Sequence, residues 1–167
     1  GCIVKTRIML FALLMMGLSL PAHAGGSEAA FDIFLSQCRQ LSLEQMFPDG
    51  APANGPKTVD AACQAIVDKA RSMDTGPVKP APQNYKGISK LARGKCAGGL
   101  IALKTAQAFE WAPWVGDDAV YVARKACAEA CKPMVERCPR VREACLHETI
   151  IVELIEDIKK GGLSACN

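Results

Sequence analysis

Apolar residues recur every three to four positions through most of this 167-residue chain, with polar residues between them, which is the period of helices packed on one side. Behind Ser27, a favoured capping residue, Phe31, Phe34, Leu35, Cys38 and Leu41 share one face of the segment EAAFDIFLSQCRQ. Ser42 and Gln45 have the spacing of a capping box, and Pro48 begins a loop, PDGAPANGPK, full of turn residues. Thr58 then caps a second long helix, in which Val59, Ala62, Cys63, Ile66, Val67, Ala70 and Met73 keep the period while Asp60, Gln64, Asp68, Lys69 and Arg71 are left for solvent. The loop between these helices is short, so they should be antiparallel neighbours.

TGPVKPAPQNYKG, Thr75 to Gly87, carries three prolines and two glycines and reads as an extended crossover. A third long helix follows over Ile88 to Glu110. Gly94, Gly98 and Ala102 recur every four residues along it, with Gly99 alongside. An internal glycine costs a helix about 0.5–1 kcal/mol relative to alanine, so close approach of a neighbouring helix backbone is expected there. Pro113 and Gly116 break the chain again. Asp117 or Asp118 caps a fourth helix with Val120, Ala123, Cys127, Ala130 and Cys131 as its stripe, and both acids suit the positive end of its dipole. The last helix opens at Pro139 and runs through Val141, Cys145, Val152, Ile155 and Ile158 to Lys159-Lys160 and the stop at Gly161-Gly162. No two-residue alternation is long enough to require a sheet, and no repeat of 20–50 residues is present. The pattern predicts an all-α domain, a compact bundle of about five helices over residues 25–167.

The N-terminus changes the picture first. Lys5 and Arg7 precede an apolar run from Ile8 to Leu20, then Pro21 and Ala22-His23-Ala24, the order of a Sec signal peptide with a small-residue cleavage site of the bacterial type. That run is shorter than the roughly 20 residues needed to span a bilayer. No later segment is both long enough and uncharged, so a soluble mature chain beginning near Gly25, in the periplasm or outside the cell, is expected. Lys5 stands where an N-terminal acylation motif needs Ser or Thr, and no cysteine follows Ala24 to take a lipoprotein anchor. Cleavage would remove two basic and no acidic residues and lower the formal charge from +3 to +1, which argues against a nucleic-acid partner.

Eight cysteines remain beyond the signal, and an even number in an oxidising compartment reads as four disulfides. Cys38 and Cys63 lie within about a turn of facing each other across their helix pair. Four more crowd into KACAEACKPMVERCPRVREAC, Lys125 to Cys145. Were that stretch one continuous helix, Cys131, Cys138 and Cys145 would line one stripe able to offer thiolates to a soft metal. CAEAC resembles the cysteine-rich helices of bacterial copper-storage proteins, which fill a four-helix bundle with thiols, and the resemblance implies copper binding. It covers Lys125 to Cys145 only, and the chain lacks that family's further cysteines and histidines, His147 being its one histidine after residue 24. Pro133 argues the other way, since an interior proline costs a helix about 3 kcal/mol. A break at Lys132-Pro133 makes a hairpin with Cys131 opposite Cys138 and Cys127 opposite Cys145. Cys96 and Cys166 are then left for each other. Staples are favoured over metal ligands, and neither metal nor cofactor is expected.

Catalytic chemistry finds few parts. There is no Gly-x-Ser-x-Gly, Walker loop, His-Glu-x-x-His or Cys-x-x-Cys, and His147 has no placed nucleophile. The segment FEWAPWVGDD puts both tryptophans, Trp111 and Trp114, beside Glu110, Asp117 and Asp118 in a proline-bounded loop. Tryptophan anchors partners, and with carboxylates it also builds carbohydrate sites; the plainer reading is that the pair caps the bundle core. The expectation is an exported inhibitor, immunity-type or adaptor protein that recognises another protein through this loop. A thiol-based copper binder and a cell-wall or glycan hydrolase using Glu110 and Asp117 or Asp118 are the alternatives.

Overall fold

The computed structural model describes residues 26–80, 87–108, 117–161 and 166, and every regular element among them is a helix. In order these are α1 (Ser27–Cys38), α2 (Leu43–Met46), α3 (Val59–Met73), α4 (Lys90–Ala108), α5 (Asp117–Ala130), α6 (Lys132–Val135), α7 (Pro139–His147) and α8 (Ile151–Lys160). The count exceeds the expected five because α2 and α6 are single turns and the expected last helix is divided into α7 and α8. Apolar side chains from all eight join one core. α4 lies at its centre, packed against α1, α3, α5 and α8, with twelve of its nineteen residues buried. A helix covered along most of its circumference needs only a narrow polar edge, which is why α4 reads as apolar nearly all round apart from positions such as Lys104.

The glycines of α4 make that position physically accessible. A Cβ on Gly98 would stand 2.6 Å from the Ser27 Cα, and one on Gly99 would stand 2.8 Å from the Ala130 Cβ. α1 therefore rests on one side of this glycine pair and α5 on the other, the close approach anticipated from the spacing.

Most caps follow the sequence. Ser42 and Gln45 form the reciprocal capping box, and the Thr58 and Ser89 hydroxyls accept from the Ala61 and Ala92 amides. Ser27 differs: Gly26, at φ 100°, caps α1, and the Ser27 hydroxyl donates instead to Asp74 at 2.6 Å. Arg71 on α3 grips Glu28 on α1 with Nε and Nη2 at 2.7 and 3.0 Å, and that carboxylate raises the guanidinium pKa further.

Four disulfides join Cys38–Cys63, Cys96–Cys131, Cys127–Cys145 and Cys138–Cys166. The first and third are the pairs expected from helix geometry. The pairings Cys131–Cys138 and Cys96–Cys166 are corrected. The chain does break at Cys131, but Pro133 sits in the first turn of α6, so the hairpin turn is itself helical. Distance from the turn predicts facing residues only where two straight helices run side by side, which holds for Cys127 and Cys145. At Cys131 the side chain instead faces α4 and meets Cys96, leaving Cys138 for the C-terminal segment.

The break between α7 and α8 comes from Glu148 and Ile150, both left-handed, at φ 61° and 47°. Glu148 is held there by Arg124 Nε, 2.6 Å from its carboxylate. The break resets the helical register, so α8 buries Ile151, Leu154 and Ile158 and leaves Val152 exposed, although an unbroken helix would have put Val152 on the apolar stripe.

Candidate functional site

Helix α3 ends at Met73, and the chain then crosses the end of α8 through residues 74–80 without regular structure. Charged groups hold this crossover in place. The Lys159 ammonium of α8 donates to Asp74 and to the carbonyls of Thr75 and Gly76 at 2.9 and 3.2 Å. Arg93 of α4, 1% exposed, donates to the Ile158 carbonyl at 2.9 Å and to the Lys79 carbonyl. The Lys79 amide closes the ring by donating to the Lys159 carbonyl at 2.7 Å. Asp74 and Lys159 keep only 5% and 11% side-chain exposure, so each satisfies a charge that burial would otherwise penalise by several kcal/mol.

Between this fixed crossover, α4 and α8 lies an open cavity of about 380 Å³. Ile101, Thr105, Ile155 and Pro77 line it, and the Thr105 hydroxyl is taken up by the Ile101 carbonyl at 2.7 Å. Met73 and Val152, 52% and 53% exposed, border the same space. Four lysines and one glutamate complete the lining: Lys79, Lys104, Lys159, Lys160 and Glu156. Lys159 is neutralised by Asp74, and Lys160 lies 3.4 Å from Glu156. Lys79 and Lys104 are exposed and have no carboxylate partner among the described residues. Among the described residues this lining offers apolar carbon and ammonium groups, with no histidine, cysteine or carboxylate pair, which are the parts of a site that binds.

The residues singled out from sequence fall elsewhere. Trp111, Trp114 and Glu110 lie outside the described residues. Asp117 and Asp118 are exposed in the first turn of α5 and, with Glu44, Gln45 and Pro48, line a shallow cleft of about 390 Å³. His147 is exposed, 3.6 Å from Glu143. The sulfurs of Cys127, Cys131 and Cys145 are buried and lie within 4.8 Å of one another, the separation a soft metal needs, but every one is consumed in a disulfide.

Sequence reasoning missed Lys79, Lys104, Asp74, Arg93 and the Lys159 bond. None has a periodic signature: the bonded partners are 14 to 85 residues apart in the chain, and Lys104 is a lone exposed lysine on a largely buried helix. Met73 and Val152 continue the apolar stripes of the sequence, and the signal that marks them is that each comes at a helix end, where a stripe runs off the core.

Comparison with protein-family models, with curated proteins and with solved structures gave no match.

Proposed function

We propose that this protein is an exported binding protein whose recognition site is the groove between α3, α4 and α8. The observation that carries the reading is the combination on one concavity: two half-exposed large apolar side chains, Met73 and Val152, with two ammonium groups, Lys79 and Lys104, that have no carboxylate partner among the described residues. Ligand sites are built as mostly apolar concavities with a few placed polar groups, and exposed apolar side chains gathered at one place mark interaction surfaces. The walls are tied before any ligand arrives, which reduces the ordering cost of binding. Export is supported by the four disulfides, which persist in oxidising compartments, and by the signal-like order of residues 1–24. An inhibitor, immunity-type or adaptor role is the form this reading takes if the ligand is carried by a partner protein.

The test is methyl NMR of the oxidised protein titrated with anilinonaphthalene sulfonate, an anionic aromatic probe. Shifts at Met73 and Val152, with Leu91 and Leu146 unmoved, are the expected result. Movement confined to Leu91 and Leu146, or none, retires the groove. Export predicts that the secreted or periplasmic product begins near Gly25 and takes up no alkylating reagent until reduced.

A further inference from the structure

We infer that the groove takes a small anionic amphiphile, a single unbranched apolar chain ending in one carboxylate, with the head at Lys79 and Lys104. This rests on the groove being the recognition site and names what it recognises.

Size selects first. A cavity of about 380 Å³ is at the low end for small-molecule sites, which run from about 300 to 1,000 Å³. It fits one narrow chain; an amphipathic helix needs a groove with anchors spread over two turns. Sign selects next. A neutral ligand can accept from the two ammonium groups but leaves them without a counter-charge, which they lack among the described residues, and a cationic one would be repelled by them. With Lys159 and Lys160 already paired, the residual charge of the described rim residues is positive. Residue type narrows the head group. Lysines are mobile point charges, whereas guanidinium forks grip planar anions in two-pronged fashion. The cations among the described lining residues are lysines, point charges that suit a single charge at the end of a chain without requiring a two-pronged grip, and a carboxylate is the simplest head of that kind. The apolar border fits the tail: Met73 is an unbranched, adaptable side chain at the end of α3, and Val152, near the start of α8, adds a rigid branched one to the same border. A chain laid along this border covers two of the large apolar side chains left exposed among the described residues.

The source is a free monomeric carboxylate, and the experiment separates it from a membrane surface. Displacement of anilinonaphthalene sulfonate is measured with laurate below its micellar concentration, dodecanol, dodecyltrimethylammonium, and vesicles of phosphatidylglycerol. Laurate should displace the probe about tenfold more tightly than dodecanol, and the cation should not displace it. Lys79→Gln and Lys104→Gln should each weaken laurate about threefold, and together about tenfold, without changing dodecanol. Val152→Asp, and independently Met73→Glu, should remove both; all four positions are exposed, and helical circular dichroism checks that each variant folds. Equal displacement by laurate and dodecanol, insensitive to the lysines but lost in Val152→Asp, overturns the anionic head and leaves the groove as the site. Laurate binding that survives both Val152→Asp and Met73→Glu puts the ligand elsewhere and overturns both. Binding to vesicles but not to laurate replaces the free acid by a membrane surface and overturns the inference.

Discussion

Around α5 the helices are joined by sulfur. Cys96–Cys131 ties α4 to the end of α5, Cys127–Cys145 ties α5 to α7, and Cys38–Cys63 clamps α1, which packs on α5, to α3. At α8 and the crossover of residues 74–80 the same task falls to Arg93, Asp74, Lys159 and Ser27, whose bonds reach across the chain to backbone carbonyls and to one another. The two regions fail differently. A disulfide restricts the unfolded chain and is indifferent to small movements of the folded one. A buried charge network must be complete, because losing one member strands the others in a medium that penalises them. The groove is on the second region, so its shape and the fold's stability depend on the same few side chains.

Removing Asp74 is the sharpest way to break that contrast. Asp74→Ala should destabilise by about 3–5 kcal/mol in urea unfolding, since it leaves the Lys159 ammonium buried with carbonyls only and deprives Ser27 of its acceptor. Laurate affinity should fall with it, because the wall of the groove is released. The double variant Cys127→Ala/Cys145→Ala is the counterpart. Its bond closes a loop of 18 residues and is worth about 3 kcal/mol, yet laurate binding at 20 °C should be unchanged. A disulfide variant that lost ligand as readily as Asp74→Ala would show that the two regions are one mechanical unit.

What could be read in advance divides along the same line. Helix positions, the caps at Ser42 and Thr58, and the bonds Cys38–Cys63 and Cys127–Cys145 come from local period and short loops, which repeat along the chain. Cys96–Cys131 was missed because the turn around Pro133 is helical and aims Cys131 at α4, a direction no spacing encodes. The groove was illegible for a related reason: Lys159 meets Asp74 across 85 residues, and Arg93 meets Ile158 across 65, with nothing periodic to mark either. The α7–α8 break was hidden because Glu148 and Ile150 are not residues that usually adopt left-handed backbone.

A smaller effect tests the packing shared by both regions. Gly98→Ala would bring a methyl on α4 to within 2.6 Å of the Ser27 Cα at the start of α1, so one of the two helices must shift. Unfolding should show a loss of about 1–3 kcal/mol. Gly98 touches the same residue that donates to Asp74, so part of that loss should disappear in an Asp74→Ala background, a coupling measurable by a double-mutant cycle.

Ile150 offers the smallest expected effect and the only gain. It sits at φ 47°, 40% exposed, as the residue preceding α8. A β-branched residue pays roughly 1–2 kcal/mol in that backbone region, whereas asparagine enters it readily and also favours the capping position. Ile150→Asn loses some apolar burial, so the net gain should be about 1 kcal/mol, seen as a rise of about 3 °C in Tm. Ile150→Ala, which keeps most of the backbone strain and loses the same contacts, should show no rise. If Asn stabilises and laurate binding holds, the left-handed turn serves only to set the register that exposes Val152. If Asn stabilises but laurate weakens, the isoleucine at this turn contributes to the groove, and the region held by charge extends back to Arg124 and Glu148.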